Sequence, residues 1–213
     1  ILAGSVDFHF REFSIQSLDR KAAVLFLEGM SDEESINVNI IEKLIRPYNG
    51  DSVALRSDKV LGFLKDTVLT ACGIAEESTL AGAVKRVLAG DTMLMVDGVS
   101  SALIVATRSI ENRSISEPET ESAVRAPKEG FVEGLRINIS LLRRRIKNQN
   151  LVVKKITIGE KTLTDLAVVY YRGIANPNLI DEVERRLKLI SIDGPAGIGV
   201  VEGFIEDHPY SLF

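Results

Sequence analysis

Alternating apolar and polar positions predict strands at the start of the chain and again near its middle. Val6–Ile15 has a period of two, and Ala22–Leu27 is an unbroken apolar run typical of a buried strand. Thr92–Val96 and Val99–Thr107 flank Asp97-Gly98, a dipeptide that favours the type I′ turn of a hairpin. Because hairpins pair their strands antiparallel, this pattern disfavours a doubly wound parallel sheet.

Apolar positions with helical spacing predict three helices in the same region. Ser31 and Glu34 have the spacing of a capping box, in which the serine accepts from the third amide and the glutamate reaches back. Gly90 is placed to close the third helix as a C-cap. The predicted helices run from Ser31 to near Pro47, from Asp58 to Ala71 and from Glu77 to Ala89.

Residues 111–130 interrupt the regular pattern and mark the best candidate domain boundary. Eight of these twenty residues are charged, two are proline, and no apolar period continues through them. The chain is therefore interpreted as an α/β protein of the mixed α+β class, with two lobes whose mixed or antiparallel sheets are flanked by helices. The predicted parts are an N-terminal lobe (1–112), a charged connector (113–128) and a C-terminal lobe (129–213).

The C-terminal lobe is predicted to open with a long helix over 129–147, about 27 Å at 1.5 Å per residue. Its inward face is predicted to comprise Phe131, Leu135, Asn138, Leu142 and Ile146. Basic residues in a last turn favour the negative end of the helix dipole, so a solvated helix end is the favoured interpretation of Arg143, Arg144, Arg145 and Lys147. A partner or an acidic lipid surface is the alternative. The further predicted elements are strands Leu151–Ile158 and Leu163–Tyr171, a helix starting at Asn176-Pro177 and a glycine-rich stretch, Gly194–Gly203.

The composition indicates a folded chain and argues against a nucleic-acid partner. Apolar residues make up 45% of the 213 positions, enough to fill a core. With 26 basic and 30 acidic residues the formal net charge is −4, whereas nucleic-acid-binding domains are normally basic. Gly98–Thr107, the most apolar uncharged run, is too short for a membrane span of about 20 residues. The chain is expected to be a soluble piece of a longer protein.

Residue types that carry catalysis or hold cofactors are few. His9 and His208 are the only histidines, and neither has an obvious acid or nucleophile beside it in the sequence. Cys72 is the only cysteine and is predicted to be a small buried hydrophobe. Gly197–Gly203 has the wrong spacing for a dinucleotide-binding loop and is interpreted as a turn or tight packing point. We therefore predict no catalytic residue, no cofactor, no metal site and no enzyme activity.

The connector and the helix after it carry a resemblance to a known family. Glu117-Pro118-Glu119, then Val124-Arg125 with Pro127, then Glu129-Gly130-Phe131, Asn138 and Leu141–Ile146 are similar to the N-terminal domain of spore germinant receptor A subunits, the GerA-type spore germination proteins. Further similar positions are Asp7-Phe8, Arg11, Tyr170, Gly173–Pro177, Arg186-Leu187, Ile192-Asp193 and Ile205–Pro209. Ala126 departs from the family, which usually has glycine there.

The resemblance implies a place for the domain in a membrane receptor. It would lie on the cytoplasmic, spore-core side of the spore inner membrane and precede a transmembrane region that follows Phe213. Its implied partners are a permease-like B subunit, a lipoprotein C subunit and other copies of the A subunit. Receptors of this family sense nutrients such as amino acids, sugars or nucleosides and trigger ion release at germination.

We interpret the connector and the basic helix end as the interaction site of a signalling and assembly domain. Opposite charges are dense there, and paired charges fix geometry more than they stabilise. Glu117, Glu119 and Glu121 lack the glycine turn of a calcium loop, which favours a solvated linker over a cation site. The alternative function is binding of a small-molecule germinant in a cleft between the lobes. The candidate interaction residues are Glu117, Pro118, Glu119, Glu121, Arg125, Pro127, Lys128, Glu129, Arg143, Arg144 and Arg145.

Overall fold

Two units, each with helices and an antiparallel sheet, make up the structure. The computed structural model describes residues 4–46, 55–109, 130–191 and 198–207. The larger unit is Asp7–Asn148, and the smaller unit joins Ile1–Val6 to Gln149–Phe213. The predicted mixed α+β fold is confirmed, since every strand pairing in the described residues is antiparallel.

A five-stranded sheet forms the framework of the larger unit. Its strands are β1 (Phe8–Ile15), β2 (Arg20–Leu27), β3 (Ile74–Glu77), β4 (Thr92–Val96) and β5 (Ala102–Val105). β1 and β2 are the two strands predicted near the N-terminus, and they pair from Phe8 opposite Leu27 to Ile15 opposite Arg20. The order across the sheet is β1-β2-β4-β5-β3, so the predicted β4–β5 hairpin lies beside β2.

Helices of the larger unit bury the apolar faces that their spacing predicts. The segments are α1 (Glu33–Ile36), a π-helical stretch (Asn37–Ile41), α2 (Glu42–Ile45), α3 (Ser57–Phe63), a second π-helical stretch (Leu64–Val68) and α4 (Leu80–Val87). Ile40, Leu44, Val60 and Leu64 are all 0% exposed. They share one hydrophobic core with residues of β2 and β4, which fixes these helices on the sheet.

The first helix begins one residue later than the capping box predicts. Asp32 is its N-cap, because the Asp32 carboxylate accepts from the Ser35 amide at 3.0 Å. The Ser31 hydroxyl is buried instead and donates to the Gly90 carbonyl at 2.8 Å. A buried carbonyl needs a partner, so Ser31 is committed to Gly90 and the aspartate takes the cap.

The segment before α4 also differs from the prediction. Glu77, predicted to begin a helix, ends the short strand β3, and α4 begins after its N-cap Thr79. β3 has no apolar run that could have identified it, because only the pairing with β5 defines it. Cys72 is exposed rather than buried, since the helical segment that buries its neighbours ends at Val68.

The β4–β5 hairpin is confirmed, but its turn is not type I′. That turn needs positive φ at both central residues, and only Gly98 has it, at 74°. The register places Leu94 opposite Leu103, so more than two residues connect the strands. Gly98 alone therefore supplies the left-handed conformation that Asp97 was expected to share.

The smaller unit combines a hairpin with two helices. Its elements are β6 (Leu151–Ile158), β7 (Thr164–Tyr171), α6 (Pro177–Lys188) and α7 (Ile198–Ile205). The hairpin and the helix start at Asn176 are as predicted; the Asn176 side chain accepts from the Asn178 amide at 3.0 Å. Gly197–Gly203 was interpreted as a turn or a tight packing point, and both are wrong where α7 begins: 198–203 are helical, and a Cβ at Gly199 or Gly203 would meet nothing within 4 Å. Val201 packs there in an apolar cluster with residues of β6 and α6, which overrides the low helix propensity of glycine.

The helix after the connector corrects the predicted domain organisation. This helix, α5 (Leu135–Arg145), has 11 residues and is about 16 Å long, not about 27 Å. It belongs to the larger unit, although a C-terminal lobe from 129 onward was expected to contain it. Phe131 and Ile146, predicted to face inward, are 69% and 39% exposed. The predicted connector (113–128) lies outside the described residues.

Candidate coupling site around Arg143

The buried residues of α5 are both polar, Ser140 and, in the last turn, a fully buried arginine. Arg143 is 0% exposed. Its Nε donates to Oδ2 of Asp7 at 2.6 Å, and its Nη2 donates to Oδ1 at 3.0 Å. The guanidinium also lies 5.1 Å from the centroid of the Phe8 ring. This bidentate pair satisfies a charge that water cannot reach. The predicted solvated role of Arg143 is therefore wrong.

Arg143 holds both points at which the chain passes between the two units. The chain crosses between Val6 and Asp7 and again between Asn148 and Gln149. Asp7 binds two nitrogens of the guanidinium, and Nη1 donates to the Asn148 carbonyl at 3.2 Å. One side chain thus fixes the larger-unit ends of both crossings.

The smaller unit holds its own end of the first crossing. The Val6 amide donates to the Val153 carbonyl at 2.9 Å, and the Val153 amide donates to the Ser5 hydroxyl at 2.9 Å. Val153 is 0% exposed and lies in β6. Residues 5–6 are therefore attached to a buried strand, just as Asp7 is attached to a buried arginine.

A second arginine of α5 binds carboxylates at the end of β2. Arg136 forms ion pairs with Glu28 and, at 3.6 Å, with Glu33. The Oε2 atom of Glu28 also lies 3.0 Å from Nε2 of the His9 ring and accepts a hydrogen bond from it when that nitrogen carries a proton. The acid beside His9, which sequence inspection did not find, therefore comes from the neighbouring strand. Gly29 has φ 74° and would place a Cβ 3.4 Å from Ser140, which shows how closely α5 approaches this turn.

The described residues on either side of the connector in sequence are attached within the larger unit. Before it, Arg108 donates from Nε and Nη2 to the buried carboxylate of Asp91 at 2.8 and 3.0 Å, which raises the pKa of Arg108. After it, the Asn138 side chain accepts from the Val132 amide at 2.8 Å and donates to the Val132 carbonyl at 2.7 Å. α5 therefore links Val132, which follows the connector in sequence, to the chain crossings.

The structure separates the predicted interaction residues into two groups. Arg144 and Arg145 are exposed, as expected for a basic helix end, and only Arg143 turns inward. The residues outside the described ranges, whose roles stay predictions, are Glu117, Pro118, Glu119, Glu121, Arg125, Pro127, Lys128 and Glu129.

Sequence inspection missed Asp7, Asn148 and Arg136 as members of the site. A signal was available, because Arg136, Ser140 and Arg143 recur at i, i+4 and i+7 and so form a polar stripe on one helix face. The inward face of the helix was instead predicted from an apolar stripe of similar spacing. The carboxylate that Arg143 binds is 136 residues away and has no local signal.

Neither a metal-binding group nor a membrane-spanning helix is found in the part of the chain that the structure describes. No group of three or more His, Cys, Asp or Glu residues there is arranged to hold a metal ion. No helix in the described ranges is long and apolar enough to cross a membrane. The pKa of Lys154 is raised by its hydrogen bond to Glu184, an ion pair on the smaller unit that ties β6 to α6.

Comparison with known sequences decides the family. The sequence model described as "Bacillus/Clostridium GerA spore germination protein" matches residues 1–213. The chain belongs to the GerA family of spore germination proteins. Among GerA relatives, it is 32% identical to spore germination protein KA of Bacillus subtilis over 100% of the chain and 38% of that protein. It is also 32% identical to spore germination protein B1 of the same organism, over 97% of the chain and 42% of that protein.

A solved GerA structure has the same fold. The crystal structure of the N-terminal domain of the A subunit of the Bacillus megaterium spore germinant receptor GerK3 matches with a TM-score of 0.69 at 26% identity. The match covers 98% of this chain and 75% of that one. The chain thus corresponds to the N-terminal domain of a germinant receptor A subunit. It spans less than half the length of the two Bacillus subtilis relatives, and its GerA relatives point to a non-enzymatic role.

Proposed function

We propose that this chain is a non-catalytic signalling and assembly domain in which Arg143 couples the larger unit to the segments that enter and leave it. The observation that carries the proposal is that one buried guanidinium binds Asp7 and Asn148, one at each chain crossing. Breaking a buried pair strands a charge away from water, at a cost of about 3–5 kcal/mol. A displacement of either crossing is therefore passed to α5 instead of being absorbed locally.

α5 also determines where a shift at the chain crossings would be transmitted. Its N-terminal part is fixed through Asn138 to Val132, which follows the connector in sequence, and its C-terminal part is fixed to the crossings through Arg143. A rigid helix transmits a small shift over its whole length. A change at the crossings would thus reach the connector, whose dense opposite charges suit contacts with other subunits.

We propose partners and a location from the resemblance to GerA-type A subunits. We place the domain at the cytoplasmic side of the spore inner membrane, in contact with B-type and C-type receptor subunits and other A-subunit copies. The connector residues named above are the proposed contacts. Arg125→Glu in the connector should leave the domain folded and impair assembly, which co-purification of the B subunit would measure. Unchanged co-purification would contradict the role of the connector.

Germination of spores tests the coupling itself. Arg143→Lys keeps the positive charge but loses the bidentate geometry, whereas Arg144→Lys makes the same replacement at an exposed neighbour. We expect spores carrying Arg143→Lys in the whole receptor to germinate several-fold more slowly at an equal receptor level, as measured by immunoblot. Arg144→Lys should germinate normally.

Two outcomes would contradict the coupling role. One is a normal germination rate with Arg143→Lys at an unchanged receptor level. The other is an equal loss with Arg144→Lys, which would indicate that basic charge at the helix end matters and not the buried pair. If Arg143→Lys lowers the receptor level, Asp7→Glu provides a second, milder change of the same pair.

Binding of a small-molecule germinant by this domain stays a prediction. Isothermal titration calorimetry with amino acids, sugars and nucleosides would test it, because a pocket gives saturable heat and an assembly domain gives none.

A further inference from the structure

β7 has an open edge, at which backbone groups point away from its neighbour β6. Val153 of β6 lies opposite Val169 of β7. Its amide donates to the Ser5 hydroxyl and its carbonyl accepts from the Val6 amide, so both groups point away from β7. In an antiparallel pair the residue opposite then points its own groups away as well. Val169 and, by alternation, Ala167 therefore present N–H and C=O groups on a side where the described residues supply no strand.

The other edge strands carry features that prevent unwanted strand pairing. Charged residues and a covering segment are two such features. The described sheets end in β1, β3, β6 and β7. β1 has Arg11 and Glu12 in its middle, and β3 ends in Glu76 and Glu77. The outer edge of β6 is covered by residues 5–6.

β7 lacks these features over six consecutive residues. The segment Leu166–Tyr171 contains no charged residue, proline or glycine, and its valines and tyrosines favour strands. Its register with β6 continues without a bulge from 164 to 171. α6 packs against β6, where Lys154 binds Glu184. An uncharged, regular edge of this length is a template for pairing with a strand of another chain.

We propose that the open edge of β7 pairs antiparallel with β7 of a second copy of this chain, so that two hairpins form one four-stranded sheet. A row of backbone donors and acceptors is matched by another extended backbone. β7 supplies that match itself, because an antiparallel pair of identical strands is related by a two-fold axis. With Val168 on the axis, Ala167 of each copy lies opposite Val169 of the other, and the groups that both present are joined.

The charges at the two ends of β7 favour the antiparallel direction. Asp165 lies near the start of the strand, and Arg172 directly follows its end. The antiparallel pair brings Asp165 of one copy to the same end of the sheet as Arg172 of the other, whereas a parallel pair would bring like charges together. Lys155 also binds Asp165 at 2.6 Å, so the start of the edge has no unbalanced negative charge.

The pairing adds a surface for the contact with other A-subunit copies proposed above. It does not rest on Arg143 or on the connector, because β7 belongs to the smaller unit. A failure of the pairing would therefore leave the expected results for Arg143→Lys and Arg125→Glu unchanged.

Disulfide crosslinking of the 213-residue chain tests the register. Every variant carries Cys72→Ser, because Cys72 is exposed. Val168→Cys places two cysteines opposite each other across the axis, with Cα atoms about 4.5 Å apart, which suits a disulfide. Leu166→Cys is the matched control on the same face of β7, because its two copies would be about 13 Å apart.

Val169→Pro tests the backbone contact. It removes an amide hydrogen that points to the open edge and leaves the ladder with β6 intact. Val169→Thr keeps that amide and is the matched control. Sedimentation velocity over protein concentrations up to the millimolar range measures association, and far-UV circular dichroism confirms that each variant is folded.

We expect a reversible dimer, unchanged by Val169→Thr and weakened at least about tenfold by Val169→Pro, because each dimer loses two hydrogen bonds. Val168→Cys should crosslink several-fold faster than Leu166→Cys. A monomer at every concentration overturns the proposal. A dimer that a folded Val169→Pro variant leaves unchanged, or equal crosslinking of the two cysteine variants, also overturns it. If Val169→Pro does not fold, the crosslinking rates decide alone.

Discussion

Arg143 in the larger unit and Arg186 in the smaller unit make the same kind of contact in opposite surroundings. Each joins a helix to a distant carboxylate and to a backbone carbonyl; the carboxylates belong to Asp7 and Asp207. The Arg143 and Asp7 side chains are 0% and 3% exposed, whereas those of Arg186 and Asp207 are 23% and 75% exposed. Water can replace the second pair when it opens, but it cannot replace the first.

The surroundings differ because the two units differ in the apolar surface that they bury. Among the described residues, the main core of the larger unit contains 18 buried apolar side chains, against five in the cluster of the smaller unit. Ile174, Leu179 and Leu189 of the smaller unit are 80%, 61% and 69% exposed. The larger unit therefore offers a charge pair more buried surroundings than the smaller unit does.

Replacement of Arg143 by methionine has the largest expected effect. The methionine preserves most of the side-chain length but removes the bidentate guanidinium from the buried Asp7 carboxylate. We expect a loss of about 3–5 kcal/mol in the free energy of unfolding of the larger unit, measured by urea denaturation. Arg144→Met, one residue along and exposed, should change it by less than about 0.5 kcal/mol.

Arg186→Met makes the comparison direct. We expect this change to destabilise the smaller unit much less, with an effect that shrinks in 0.5 M salt because exposed pairs are screened. Equal losses for Arg143→Met and Arg186→Met would mean that burial does not distinguish the two units. A double variant, Asp7→Asn with Arg143→Met, should recover part of the loss, since it removes the stranded charge.

Alanine substitution at two glycines with similar φ angles tests the same difference between the two units. Its expected effect on stability is intermediate. Gly90 in the larger unit has φ 97°, and Gly173 in the smaller unit has φ 90°. A Cβ at Gly90 would lie 2.7 Å from the Met30 carbonyl oxygen, whereas nothing lies within 4 Å of one at Gly173. Alanine at Gly173 should cost about 1–2 kcal/mol for the left-handed backbone alone.

Gly90→Ala adds overpacking to the backbone cost, for a total of about 2–5 kcal/mol. The Met30 carbonyl cannot move away freely, because it accepts from the Ser109 amide at 2.9 Å. Thermal unfolding of both variants gives the comparison. If Gly90→Ala costs no more than Gly173→Ala, this part of the larger unit relaxes more easily than its buried contacts indicate.

Period and capping predicted most elements of the fold, because they depend on neighbours in sequence. β6 was predicted with its observed bounds, and the start of α6 at Asn176 follows from local cap chemistry. β3 was not found, because four half-exposed residues become a strand only through pairing with β5. Sequence patterns thus predict those helices and strands that interactions between sequence neighbours determine.

The candidate site could not be predicted from the sequence for the same reason. The sequence alone does not distinguish the four neighbouring basic residues Arg143, Arg144, Arg145 and Lys147. Only the approach of α5 to β1, set by contacts between residues 136 positions apart, turns Arg143 inward to Asp7. The dipole argument for a solvated helix end holds for its neighbours and fails where a buried carboxylate competes with water.

The smallest effect is expected from the surface pairs of the smaller unit, through pH. Hydrogen bonds from Arg185 and then Arg186 lower the pKa of Glu182 from 4.5 to about 2. In the unfolded chain the carboxyl takes up its proton near 4.5, so the unfolded state gains protons first as the pH falls. The stabilisation is therefore complete above about pH 4.5 and is lost between about 4.5 and 2.

An NMR titration of the Glu182 carboxyl carbon should show a midpoint near 2, and Glu182→Gln should flatten the pH dependence of the smaller unit between 4.5 and 2. Glu202→Gln, which removes the same charge from an exposed position of α7, should leave that window unchanged. A midpoint near 4.5 for Glu182 would mean that water already replaces the guanidinium groups. The contrast with Arg143 would then be greater than the distances in the structure indicate, because Glu182 would not be held in a fixed ion pair with Arg185 and Arg186.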